Sequence, residues 1–400
     1  MANILCLYEN IIATVAISVK FLKELSEYDS RIVVKSVSIS KLNTSDIEWC
    51  DVLYMIRPNN ECFARIAKAV RKIGITVVYF LDDDLMNLPK GNADMPWRKI
   101  GLADAAKSSD IIISFNQNIC RIYGEKFHLH RTVVIDMPVP KKDIKQHNDN
   151  LNKQIKLVYA AGGGHETLFN KYIRPILEEL DRRYGKRISL TFMGVRPDIN
   201  PNDFDIPITF IDPMPFDEYR KRIETENFDI GLAPLDSSNF TKCKYFNKFI
   251  EYAMFGIVGI YSNTEPYTFV VKNGENGILA GDKPQDWLNS ICEAIENRKL
   301  IEHCRVSSYN TLKTRFEPTT IMDGFIRDIP EVIKGHSNKQ LKESSLFYIK
   351  MRYGFSRIGD WIYKTGFYFK TGGIKEVAKG IKRRINTIKI EKRAERNKQL

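Results

Sequence analysis

A short apolar run, a polar turn and an amphipathic stretch recur along this chain in two successive series, which restricts its fold to parallel strands covered by helices. Residues 4–8 (Ile-Leu-Cys-Leu-Tyr) predict a strand, followed by a turn at Glu9-Asn10 and an amphipathic stretch over 12–25. Residues 32–39 alternate apolar with polar or basic side chains, as a half-buried strand does. Residues 51–56 form a further apolar run that ends at Arg57-Pro58. A helix over 62–73 stops at Gly74, the residue type that most often ends one. Strands over 75–81, 111–114 and 133–135 complete the series, with a helix over 97–107 between the first two.

Residues 141–153 are polar and charged and mark the boundary between the two series. The second series has strands at 155–160, 188–193, 208–211, 229–233 and 257–261. Helices are predicted between them over 168–184, 216–224 and 244–255, with one more over 287–297. The 400 residues suit two domains. The division expected is 1–145, 153–334 and a tail over 335–400. Two such halves predict a cleft at the C-terminal ends of their strands, where α/β proteins take ligands.

The formal charge of +12 is concentrated in one place. Residues 335–400 hold 17 Lys and Arg against 5 Asp and Glu, and residues 1–334 balance at 44 of each. A neutral body with a basic attachment device fits this better than a nucleic-acid-binding body. The tail adds aromatics among its basic residues, from Phe347 and Tyr348 through Trp361 to Phe369, and then apolar residues near helical spacing over 374–390. Aromatics at headgroup level with Lys and Arg against anionic lipid suggest a membrane surface as partner, ahead of a solvated helical extension packed on the body, with nucleic acid last. No stretch reaches the roughly 18 apolar residues that a span requires. The N-terminus has no basic leader pattern. The seven cysteines are scattered and never spaced Cys-x-x-Cys, so a disulfide framework or zinc site is not expected. The cytoplasm, at the inner face of the cell membrane, is the expected location.

Three stretches carry chemistry. Gly162, Gly163, Gly164 and His165 lie between a strand and a helix, where the backbone can approach an anion such as a diphosphate. Lys248 and Glu251 share one face of a helix and can present a cation to phosphate and a carboxylate to ribose hydroxyls. Asp82, Asp83 and Asp84 end an apolar strand and suit cleft-lining acceptor contacts or a structural role ahead of a metal site. His128 and His130 are expected to be structural, and nothing resembles a Ser/His/Asp or Cys/His nucleophile set.

The run from Asp229 to Leu279 resembles the donor-binding region of family-4-type glycosyltransferases of bacterial surface polysaccharide synthesis. The residues that carry the resemblance are Asn247-Lys248-x-x-Glu251-Tyr252-x-x-x-Gly256 and Asn273-Gly274-Glu275-Asn276-Gly277. In looser form it extends over about 1–330 and includes the Gly-Gly-His loop. The resemblance implies the GT-B architecture, two Rossmann-like domains with the basic helical tail added. It also implies a nucleoside-diphosphate-sugar co-substrate bound by the second domain, and a glycan or lipid-linked glycan acceptor held mainly by the first. Glu251 would hold the donor ribose, with Gly162, Gly163, Gly164 and Pro234 around the nucleotide. Lys248, Lys171 and His165 would steady the diphosphate, and Asp83 would serve the acceptor. Where the family often carries a second glutamate, eight residues before Glu251, this chain has Cys243. No cofactor and no metal are expected. The alternatives are a metal-dependent GT-A-like transferase acting through Asp82 and Asp84, and a non-catalytic scaffold of a polysaccharide assembly complex.

Overall fold

The computed structural model describes residues 1–88, 95–129, 131–140, 154–162, 165–335 and 343–396. The predicted boundary over 141–153 and residues His130, Gly163 and Gly164 lie outside these. The chain forms two compact units, one of residues 1–136 with 321–400, the other of residues 137–320. The divisions at 145 and 334 expected from sequence thus fall elsewhere: the last stretch of chain packs with the first unit.

The first unit is a parallel six-stranded sheet: β1 (Ala2–Tyr8), β2 (Ile32–Ser38), β3 (Val52–Ile56), β4 (Thr76–Phe80), β5 (Ile111–Ser114) and β6 (Thr132–Val134). Their order is β2-β1-β3-β4-β5-β6. Strands β3 and β5 are buried at every position, as continuous apolar runs covered on both faces must be. The Glu61–Arg71 helix starts where the Asn60 side chain accepts the Cys62 N–H at 2.9 Å. It buries Cys62, Phe63, Ile66, Ala67 and Val70.

The tail is helical over Glu343–Arg396, broken at Gly372 and Gly373. Gly373 has φ +64°, a conformation that costs a side-chain-bearing residue about 1 kcal/mol or more. The chain bends there into two rods, and Gly380 of the second comes against the Tyr368 ring of the first. The first rod is fixed to the Glu61–Arg71 helix by Arg352–Glu61 (2.8 Å), by Asn60 Nδ2 donating to Ser356 Oγ (2.7 Å) and by buried Leu346, Ile349 and Tyr353.

The second unit is also parallel: β7 (Ile155–Ala160), β8 (Ile188–Met193), β9 (Ile208–Ile211), β10 (Ile230–Ala233), β11 (Val258–Ser262) and β12 (Ile278–Ala280), ordered β12-β11-β10-β7-β8-β9. Its core centres on Phe169, Phe192, Tyr172 and Trp287, with Phe169 edge-on to Phe192 at 4.9 Å. The helix expected over 168–184 is two, Glu166–Tyr172 and Leu177–Tyr184, joined by a 3-10 turn at Arg174–Ile176. Pro175 lacks the N–H that one continuous helix would need there. All seven cysteines are buried and in the thiol state.

Candidate nucleotide site in the second unit

In this sheet the connection reverses direction between β7 and β10, which are neighbours. Open α/β sheets take ligands beyond the strand ends at such a point. Ala161 and Gly162 follow β7 there, and buried Pro234 and Leu235 follow β10. The Leu235 backbone is fixed by Ser262, whose Oγ accepts its N–H (2.8 Å) and donates to its carbonyl (2.9 Å). Gly194, after β8, has φ +83°, and a Cβ there would stand 2.6 Å from the Ala161 carbonyl oxygen. Only glycine lets these two loops approach so closely.

A cavity of about 230 Å³ lies between these loops and is lined by Gly162, Gly194, Asp212, Met214, Tyr219 and Lys248 among others. Lys248 and Glu251 come from the Asn247–Met254 helix, and Tyr219 from the Phe216–Glu226 helix. Lys248 Nζ donates to Glu251 Oε1 at 2.7 Å and to the Tyr219 hydroxyl at 3.0 Å, while that hydroxyl donates to Glu251. The ammonium also sits 5.2 Å from the centre of the Tyr219 ring. The site therefore offers a cation at the cavity wall and a carboxylate paired with it, both partly shielded from water.

His165 is half-buried, and its pKa is lowered by burial and then by the charges of Lys244 and Lys248. Its ring is thus neutral near pH 7 and faces two cations. Burial pushes the Asp236 carboxyl up, but hydrogen bonds from Thr241 and Ser238 and the Lys244 charge outweigh it and leave the pKa low. Asp236 in turn acts on His165.

The structure thus gathers Gly162, His165, Lys248 and Glu251, with Pro234 on the adjoining loop. It places Lys171 apart from them, in an exposed ion pair with Asp282 at 3.1 Å and bonded to the Tyr172 hydroxyl at 2.7 Å. Tyr219, Lys244 and Asp236 were missed by the sequence reading. Tyr219 stands 29 positions from Lys248 and carried no local signal. Lys244 precedes the short Asn247–Met254 helix rather than lying on it, and Asp236 lies on the loop just after β10. Cys243 is fully buried where the resemblance would place a carboxylate.

In the first unit Asp83 and Asp82 both pair with Arg57, whose backbone is left-handed (φ 48°), and Thr14 donates to Asp82 at 2.5 Å. Asp84 is fully buried; it accepts from the Tyr123 hydroxyl at 3.0 Å and from Asn87 at 2.7 Å. Asp82 and Asp83 therefore share Arg57, and Asp84 turns away to Tyr123 and Asn87. Among the described residues no group of three or more metal-ligating side chains occurs.

Two parallel six-stranded Rossmann-like units of this kind, with a helical tail, make the GT-B fold. Solved structures bear out the architecture. The Anabaena protein Alr3699/HepE, in complex with UDP and glucose, matches with a TM-score of 0.57 and 13% identity, over 82% of this chain and 100% of its own. The lipopolysaccharide outer core galactosyltransferase WaaB matches with a TM-score of 0.58 and 12% identity, over 82% of this chain and 99% of its own. Sucrose-phosphate synthase from Thermosynechococcus elongatus matches with a TM-score of 0.58 and 9% identity, over 83% and 99%. No family model and no curated protein sequence matches.

Proposed function

We propose that this chain is a glycosyltransferase that moves a sugar from a nucleoside-diphosphate donor, bound by the second unit, to a glycan hydroxyl presented by the first. The observation that carries this is the Lys248–Glu251–Tyr219 cluster at the wall of a cavity beyond β7 and β8. The UDP and glucose bound by HepE, a protein of the same fold, support a donor of this class. Glu251 would accept the ribose hydroxyls. As the bond from sugar C1 to the diphosphate oxygen breaks and C1 bonds to the acceptor oxygen, negative charge grows on the leaving diphosphate. Lys248, with Lys244 and His165 beside it, faces that charge, and fixed cations in a partly dry site stabilise it most. Asp83 would hold the acceptor hydroxyl, whose proton passes to the departing diphosphate as its oxygen bonds to C1. The reaction is proposed to be metal-independent, with the Lys248 and Lys244 ammonium groups meeting the charge of the diphosphate.

The finer reading is a cytoplasmic enzyme of surface polysaccharide synthesis that works at the membrane on a lipid-linked glycan. It is supported by the exposed large apolar residues of the tail, among them Phe347, Phe355 and Trp361, set among basic ones. Among the described residues no helix is long and apolar enough to cross a membrane.

Calorimetry against UDP, GDP, dTDP, ADP and CMP, with and without EDTA, tests the proposal. Saturable binding of one nucleoside diphosphate, indifferent to EDTA and weakened in Glu251→Ala, is the expected result. Binding abolished by EDTA would move the chemistry to a metal, and no binding at all would leave a scaffold.

A further inference from the structure

The first unit holds a second polar cavity that the donor reading does not use. In its sheet the crossover direction reverses between neighbouring β1 and β3, the position where an open parallel sheet takes a ligand. A cavity of about 450 Å³ opens there, with Glu9, Asn10 and Asn59 from the loops after these strands and Arg357, Trp361 and Lys364 from the tail.

Its charges are unevenly matched. Arg98 holds Glu9 through both terminal nitrogens (2.5 and 2.9 Å) and also pairs with Asp360. Arg357 donates to Asn10 Oδ1 at 2.9 Å and reaches Glu9 at 3.4 Å. Arg98, Arg357 and Lys364 thus face the carboxylates Glu9 and Asp360, which leaves one positive charge in excess. Desolvation and then the Arg98 charge lower the Lys364 pKa, a cost that a bound anion would offset.

The same rod carries an apolar stripe. Phe347, Met351, Phe355, Ile358, Ile362 and Phe369 are all exposed, Phe347 by 73% and Phe355 by 66%. At 3.6 residues per turn their spacing confines them to roughly a quarter of the helix circumference. Trp361 stands at the border, 63% exposed and yet lining the cavity. A polar cavity with one positive charge in excess, adjoining an apolar stripe, fits an amphiphile with an anionic end.

We propose that this pocket takes the phosphate-bearing head group of a lipid whose chain lies along the stripe. The inference rests on the transferase reading and deepens it, because it gives the acceptor a phosphate-bearing lipid end; a bulk anionic phospholipid offers the same chemistry. The net positive tail argues for an anionic lipid surface over a protein partner on the stripe.

The test uses the full chain with vesicles of phosphatidylcholine, alone, with phosphatidylglycerol, or with a polyprenyl phosphate, and with soluble glycerol 1-phosphate and glucose 1-phosphate. Wild-type protein is expected to bind both soluble phosphates and the anionic vesicles. Lys364→Ala should weaken both roughly tenfold, the loss of one charge-assisted hydrogen bond. The double variant Phe355→Ser/Ile358→Ser should lose vesicle binding and keep its affinity for the soluble phosphates. Preference for polyprenyl phosphate over phosphatidylglycerol identifies the acceptor's carrier, and equal binding identifies bulk phospholipid. Soluble-phosphate binding that is absent, or unchanged in Lys364→Ala, overturns the proposal. So does self-association through the stripe without vesicle binding. Titration of the same proteins with the five nucleotides separates the two readings: absence of binding by all of them alone defeats the transferase, and absence of soluble-phosphate binding alone defeats the pocket.

Discussion

Glu251 accepts hydrogen bonds from Tyr219 and Lys248 at once, so its carboxylate is already aimed before any ligand arrives. Glu251→Ala is expected to raise the nucleoside-diphosphate Kd by roughly tenfold to a hundredfold, the range for losing a charged hydrogen-bond acceptor. Circular dichroism should show the fold intact. Tyr219→Phe removes only the hydroxyl and should cost about threefold in the same titration, because Lys248 still holds Glu251. His165 gives a pH signature. Its folded pKa is held below the ordinary 6.5 by burial and by Lys244 and Lys248. Between the two values the unfolded chain binds more protons than the folded one, so stability rises with pH there and falls as pH drops below 6.5. Urea unfolding between about pH 5 and pH 7 should show that slope, and His165→Gln should flatten it. A diphosphate supplies the counter-charge, so its affinity should increase as pH falls in the wild type and not in the variant.

At the scale of elements, the loops after β7 and β8 depend on one residue. Gly194→Ala combines a left-handed φ with a Cβ 2.6 Å from the Ala161 carbonyl oxygen. It should destabilise the chain by about 1–3 kcal/mol and abolish nucleotide binding, read by urea unfolding and calorimetry. The strands here were legible because buried parallel strands are written as unbroken apolar runs: residues 52–56 and 111–114 could be little else. The Thr44–Trp49 and Gln117–Phe127 helices and β12 were not. Thr44–Trp49 is too short for a period to show, and its start rests on the Asn43–Asp46 capping box. The three residues of β12 are a strand only because β11 pairs with them. The site was legible where it is local, as Lys248 and Glu251 three apart on one helix, and illegible where the fold brings in Tyr219.

For the whole molecule, the placement of residues 321–400 was beyond the sequence, since it is decided by contacts between residues nearly three hundred positions apart. Cys62 Sγ lies 3.6 Å from the Ile349 carbonyl, and Leu346, Ile349 and Tyr353 are buried, where residues 335–400 suggested a membrane-surface device ahead of a helical extension packed on the body. Removing residues 343–400 should therefore do more than detach a basic tail. It uncovers part of the first unit's core, and light scattering and hydrophobic-dye binding should report aggregation, while nucleoside-diphosphate binding by the second unit persists.

The same return of the chain orders events on the ribosome. Residues 137–320 are contiguous and can close their sheet as soon as β12 and the helices after it have emerged. Residues 1–136 are made first, yet their tail helix is made last, so the older half waits for the younger one to be finished. Nascent chains arrested shortly after residue 320 clears the tunnel should yield a protease-resistant second unit, with a first unit still open to cleavage until Leu346 to Tyr353 arrive.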